Sequence, residues 1–265
     1  MILTAGVVVM ILVALTYAGN IMNYKLAENE YTSTKQFMQT TAQQLDDIAW
    51  TIGRTQTVTY SSKFGALKFQ PLAVTYNICV RTTSGWDNQT LSAQTGILLF
   101  NMPVSAYTMG NNYFGRVPNS ANGSFLLWGA SASVAQVFCQ EKLPMSDGSY
   151  LRVALVPTMR VLSSTVASGQ NYLKCYMPSL EDASHSYSTQ SLTVTGSGIN
   201  KITRSGVDCL VITASYPQVA LGYDEGFFNF DYQSVTLDAN STPALTANSV
   251  VEFYVGNVQV VIGGS

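Results

Sequence analysis

From Leu3 to Ile52 a row of mostly apolar residues recurs every seven positions: Leu3, Met10, Tyr17, Tyr24, Tyr31, Met38, Leu45 and Ile52. A second row, offset by three, runs Gly6, Val13, Asn20, Ala27, Thr34, Thr41 and Ile48. Rows at these spacings share one face of an α-helix. No Pro and no Gly occur between Gly19 and Gly53, so nothing breaks the helix over that interval. Gly53 is placed to cap it. The Thr and Asn of the second row make a poor two-stranded coiled-coil seam, so a helix touching several neighbours is expected. Over residues 1–52 it would be roughly 78 Å long at 1.5 Å per residue. That is more than twice the ~30 Å bilayer core.

The helix starts apolar. Met1 to Ala18 carries no charge, and the first charged residue is Lys25. Such a stretch approaches the length that crosses a bilayer. It lacks the basic n-region and short apolar core of a secretory signal. We read Met1 as what remains after removal of a basic leader; initiation at Met1 without a leader is the other route. The simplest competing description is a transmembrane anchor followed by a polar stalk. Against it stand Tyr31, Phe37, Met38, Leu45, Ile48 and Trp50, which need apolar partners a solvated stalk lacks. The chain's own head could cover part of them.

After Gly53 the period changes to two. Thr55-Gln56-Thr57-Val58-Thr59-Tyr60 alternates, and later runs are rich in Val, Ile, Thr, Tyr and Phe. Strands are expected over 72–81, 96–100, 125–128, 135–139, 150–156, 172–176, 192–194, 208–214, 234–237 and 250–262. Ser146-Asp147-Gly148-Ser149 and Gly196-Ser197-Gly198 read as turns. Near the C-terminus, Val251, Phe253 and Val255 alternate before Gly256-Asn257, and Val258, Val260 and Ile262 after it. A Gly-Asn hairpin or a bulged single strand would keep all six on one face. The expected fold is α+β: a helical unit at 1–53 and an all-β head at 54–265, one sandwich or two.

Charged residues make up only 11% of the chain and the net charge is −2. Without Lys and Arg clusters, nucleic acid is not an expected partner. The four cysteines, Cys79, Cys139, Cys175 and Cys209, are widely spaced with no Cys-x-x-Cys pair, so a zinc site is not expected. Outside the cell an even count suggests up to two disulfides, in any of three connectivities; buried free thiols are the alternative. Sequons begin at Asn88, Asn122 and Asn240, each in a segment read as loop or turn and a candidate for glycosylation. The one histidine, His185, lies in a polar loop without partners for a metal or a triad. Asp46-Asp47, Glu181-Asp182 and Asp224-Glu225 are adjacent carboxylates of the kind found on solvated surfaces. Asp224-Glu225 precedes an aromatic run at 226–232 that could hold a sugar or calcium, although a turn into apolar strands explains it more simply. No nucleophile elbow or phosphate loop occurs. Neither a catalytic group nor a cofactor is expected.

An apolar start, a helix outrunning the membrane as far as Ile52 and a β head resemble the type IV pilin superfamily, and its archaeal members in particular. Bacterial pilins usually carry Glu at the fifth position, where this chain has Ala5. The resemblance implies a leader peptidase, storage in the membrane, and extraction by pilus assembly machinery into a helical homopolymer. The helices would form its core, and glycosylated immunoglobulin-like heads would coat it. An archaellum subunit shares this plan. A single-span anchored adhesin that never polymerises is the second expectation, and an exported β-sandwich hydrolase the third.

Overall fold

The computed structural model describes residues 2–110, 113–117, 125–130, 134–141, 148–165, 170–183, 186, 188–215, 234–242, 244–246 and 249–263, side chains at 2–4 and 88–90 excepted. Asn122, His185, Asp224, Glu225 and the aromatic run 226–232 lie outside the described residues.

One helix, α1 (Ile2–Ala49), precedes an all-β head. The strands are β1 (Thr55–Thr59), β2 (Ala66–Thr82), β3 (Gly85–Pro103), β4 (Phe114–Val117), β5 (Leu126–Trp128), β6 (Ala135–Glu141), β7 (Tyr150–Pro157), β8 (Met159–Thr165), β9 (Asn171–Asp182), β10 (Ser191–Ser215), β11 (Ser234–Leu237) and β12 (Ser249–Ile262). They form one 12-stranded sheet in the order β4-β6-β7-β3-β2-β10-β12-β9-β8-β5, with β1 and β11 added to β10. It is mixed, because β9 runs parallel to β12 and β5 parallel to β8. The sheet doubles over itself. Ser179 Oγ donates to Gln94 O at 2.6 Å and Leu180 N to Thr95 Oγ1 at 2.9 Å, which ties β9 to β3 although the two are not sheet neighbours.

Strand alternation divides the apolar residues between two cores on opposite faces. Leu98, Phe100 and Met102 of β3, with Leu151, Val153 and Leu155 of β7, face the helix. Ile97 and Leu99, with Ala154 and Val156, point the other way into a core enclosed by the fold of the sheet. β12 serves both in turn. Val251, Phe253 and Val255 enter the enclosed core, whereas Val258, Val260 and Ile262 enter the core under the helix. The expectation that all six share one face is therefore corrected. β12 keeps continuous parallel register with β9 from Val250 to Val260, with neither hairpin nor bulge.

The bulge lies in the partner strand. Register between β10 and β12 shifts at Gly196/Gly198, so the expected turn is the interior of a single 25-residue strand. Asn88 also departs from its expected loop. It falls within β3, where register shifts opposite Cys79. Asn240 does sit in a turn and is exposed, its backbone N donating to Asp238 Oδ1 at 2.8 Å.

Candidate assembly element and its seat on the head

The helix has two halves with different surroundings. Residues 5–26 are solvent-open, Gly19 alone being half-buried. Met10, Val13, Tyr17 and Tyr24 are all exposed there, and Leu3 lies among the residues whose side chains are not described. Beyond that point Ala27, Tyr31, Thr34, Met38, Thr41, Leu45 and Ile48 are buried. These are the two heptad rows, alternating by four and three. Each faces the sheet, against residues such as Val137, Val153, Leu192 and Val258. The partners of the lower stripe are therefore strands of the same chain: of the two sources expected, neighbouring helices and the chain's own head, the head covers these residues. Thr41 is buried there with its hydroxyl satisfied, Oγ1 donating to Phe37 O one turn back at 3.0 Å. Ile52, expected to close the first row, lies past the end of the helix and is 66% exposed.

Three polar devices fix the helix to the head. The first is Glu30. Its carboxylate accepts the backbone N–H groups of Lys63 (2.8 Å), Phe64 (3.1 Å) and Gly65 (2.8 Å), and the hydroxyl of Ser62 (2.7 Å). Successive amides converging on an anion make a nest, and charge-assisted bonds of this kind are the strong ones. The loop between β1 and β2 is thereby pinned to the helix where it leaves the head.

The second is Asp46, which accepts Trp50 Nε1–H at 2.9 Å and Arg160 Nη1–H at 2.6 Å. Arg160 opens a ladder across four neighbouring strands: Arg160 pairs with Tyr176, Tyr176 with Tyr254, and Tyr254 with Lys201. The Arg160 guanidinium lies 5.4 Å from the Tyr176 ring centroid, the two tyrosines stack at 4.8 Å, and Lys201 Nζ lies 5.2 Å from Tyr254. Trp50 meets Tyr176 edge-on at 5.3 Å. Cross-strand pairs of this kind stabilise the sheet beside the helix end. Beside the ladder, Lys201 bonds Glu252 at 2.7 Å and holds that carboxyl below its ordinary pKa.

The third is a pair of glycines. A Cβ on Gly196 would lie 2.4 Å from Ile48 O and 2.7 Å from Thr51 O; one on Gly256 would lie 2.4 Å from Ala49 O. Only glycine lets the last turn of the helix rest directly on the sheet. Gly53, at φ 81°, then turns the chain and donates to Gly196 O at 2.7 Å. The expected cap residue is in place, although the helix stops at Ala49.

The four cysteines are free thiols. The expected disulfides are corrected on geometry: Cys139 lies in the core under the helix and Cys175 in the enclosed core, on the opposite face of the sheet. Cys79 and Cys209 occupy adjacent strands, but Cys79 pairs with Val211 and Cys209 with Arg81. Burial pushes the Cys139 and Cys175 thiols above their ordinary pKa. Among the described residues no group of three His, Cys, Asp or Glu side chains converges as a metal site.

Sequence reasoning located the stripe but missed Glu30, which looks like any helix-surface carboxylate. Arg160 lay in a segment not expected to be a strand. Compared with protein-family models, with curated proteins and with solved structures, the chain finds no match.

Proposed function

We propose that this chain is the structural subunit of an extracellular type IV pilus-like filament, polymerising through the uncovered half of α1. The observation that carries the reading is the division of the stripe. Residues 27–49 are satisfied by the head, while residues 5–26 project as a rigid continuation with apolar side chains on every side. Val7, Val8, Val9, Met10, Ile11, Leu12, Val13 and Leu15 are each more than 40% exposed. So much contiguous apolar surface is not left in water. Before assembly lipid covers it; in the filament the same segments of other copies do, and the heads lie outside. Under this reading the head is an elaborated relative of the immunoglobulin-like sandwich, supported by the doubled sheet around its enclosed core. Glycans at Asn88, Asn122 and Asn240 would shield it, and Asn240 is exposed. The role is structural rather than catalytic.

Val9→Asp or Leu12→Asp tests the proposal. Burying an unpaired charge among packed helices is strongly unfavourable, so sheared surface preparations should lose their filaments while the head stays folded. Filaments formed by either variant would sink the reading.

A second reading has its own support. The uncovered segment, about 22 residues or ~33 Å, matches one bilayer crossing of ~30 Å. A single-span surface anchor therefore fits residues 5–26 equally in length. It predicts only detergent-extractable monomers and none of the chain in sheared supernatants.

A further inference from the structure

At the edge of the sheet formed by β5, β8 and β9 lies a groove of about 430 Å³, within the range of small-ligand sites. Val161, fully buried, and Leu162 line it on β8, and Trp128 stands at its rim, 42% exposed. Trp128 is paired in the sheet with Val161, so its ring could have continued the core; it opens to solvent instead. Ser163, Ser164, Lys174 and Tyr176 also line it, Tyr176 being the ring that Trp50 meets edge-on. A second cavity of about 270 Å³ shares Ser163 and Ser164 and continues along the hairpin past Asn171 and Tyr172.

The polar atoms of this groove are underused. Among the described residues, the Trp128 indole N–H and the Ser163 and Ser164 hydroxyls have no hydrogen-bond partner. Lys174 reaches Glu252 only at 3.9 Å, and that carboxylate is engaged by Lys201 at 2.7 Å. The groove thus offers an indole face with a free N–H, two hydroxyls and an ammonium group incompletely neutralised by its neighbour. An aromatic plane takes the C–H face of a pyranose, hydroxyls exchange hydrogen bonds with sugar hydroxyls, and a lysine takes a carboxylate. Two cavities that share Ser163 and Ser164 fit an oligomer better than a single sugar. We infer that this groove binds an acidic oligosaccharide, with its carboxylate-bearing residue at Lys174. The inference deepens the surface-subunit reading and rests on it only for where the sugar would be met.

The test is calorimetric titration of the full chain in mild detergent with two probes, a glucuronate-containing tetrasaccharide and an uncharged glucan tetrasaccharide. The acidic probe should bind saturably. Trp128→Ala should weaken it by roughly tenfold or more, a difference of ~1.4 kcal/mol, and Lys174→Met should weaken it while sparing any binding of the neutral probe. Trp86→Ala removes another half-exposed tryptophan, on β3, and should change nothing. Should Trp128→Ala fail to fold, Ser164→Tyr blocks the groove from an exposed position and takes its place. No saturable binding of the acidic probe, a preference for the neutral one, insensitivity to Lys174→Met, or an equal loss in Trp86→Ala would each overturn the inference. Assembly is not read in this assay. A chain that binds sugar yet forms no filaments keeps the groove and loses the filament reading, and the converse result separates them the other way.

Discussion

Replacing Gly196 by alanine distinguishes a turn glycine from a seat for the helix. In an open turn or strand, Gly→Ala at an ordinary φ stabilises by about 0.4–1 kcal/mol, because the unfolded chain loses freedom. At Gly196 the new methyl would sit 2.4 Å from Ile48 O and 2.7 Å from Thr51 O. Ordinary contact begins near 3.4 Å, so the last turn must lift by about 1 Å. Both neighbours are backbone, and no rotamer change relieves the overlap. Overpacking of this kind costs about 1–3 kcal/mol. Lifting the turn also stretches the Gly53 N–Gly196 O bond (2.7 Å) and the Gly196 N–Arg54 O bond (2.9 Å), each worth about 1 kcal/mol. The expected loss is about 2–4 kcal/mol. Gly198, two residues on, has nothing within 4 Å of a built Cβ, so Gly198→Ala should stay within about 0.5 kcal/mol of wild type. Urea denaturation of the full chain in mild detergent, followed by tryptophan fluorescence, measures both. Trp50, beside the affected turn, reports local loosening. A Gly196→Ala variant as stable as Gly198→Ala would refute the close docking of the helix end.

Removing the carboxylate in Glu30→Ala strips an acceptor from the amides of residues 63–65; it should cost about 1.5–3 kcal/mol and speed hydrogen exchange at those amides, and unchanged exchange would dismiss the nest. Glu252 has a folded pKa below its ordinary value of 4.5, chiefly through its bond to Lys201. Its contribution is therefore present above that pH and lost as the pH falls through the folded value. Between about pH 7 and about pH 3 the wild type should lose more stability than Glu252→Gln; equal losses would show that the pair does not couple to folding. Native alkylation at about pH 8 should mark Cys79, which is half-exposed, before the buried Cys139 and Cys175, with every thiol labelled after unfolding; a cysteine that resists labelling when unfolded without reductant would contradict the free-thiol state.

The course of the helix and most of the strands were legible because periodicity is a property of the chain itself. The rows Ala27-Tyr31-Thr34-Met38-Thr41-Leu45-Ile48 follow from the sequence alone, and with Ala42 and Ala49 they are the buried residues of the lower helix. Ser234–Leu237 was an expected strand, and it is β11. β4 and β8 were missed. Phe114-Gly115-Arg116-Val117 shows no alternation, and Met159–Thr165 ends in exposed Ser and Thr that resemble a loop.

What the pattern could not contain was the identity of the opposite surface. A stripe states which side chains share a face, and the burial gain is the same whether a neighbouring helix or the chain's own sheet covers them. Only the tertiary structure placed the sheet there and left residues 5–26 bare. Glycine is ambiguous for a related reason: the missing Cβ serves a turn and a close approach equally. By sequence Gly196 reads as a turn and Gly256 as a hairpin or a bulge; in the fold the helix end rests on both. Sequence alone determined a long helix with one continuous apolar face and a β head behind it. Tertiary packing decided that half of that face belongs to the head and that the other half stands open to solvent.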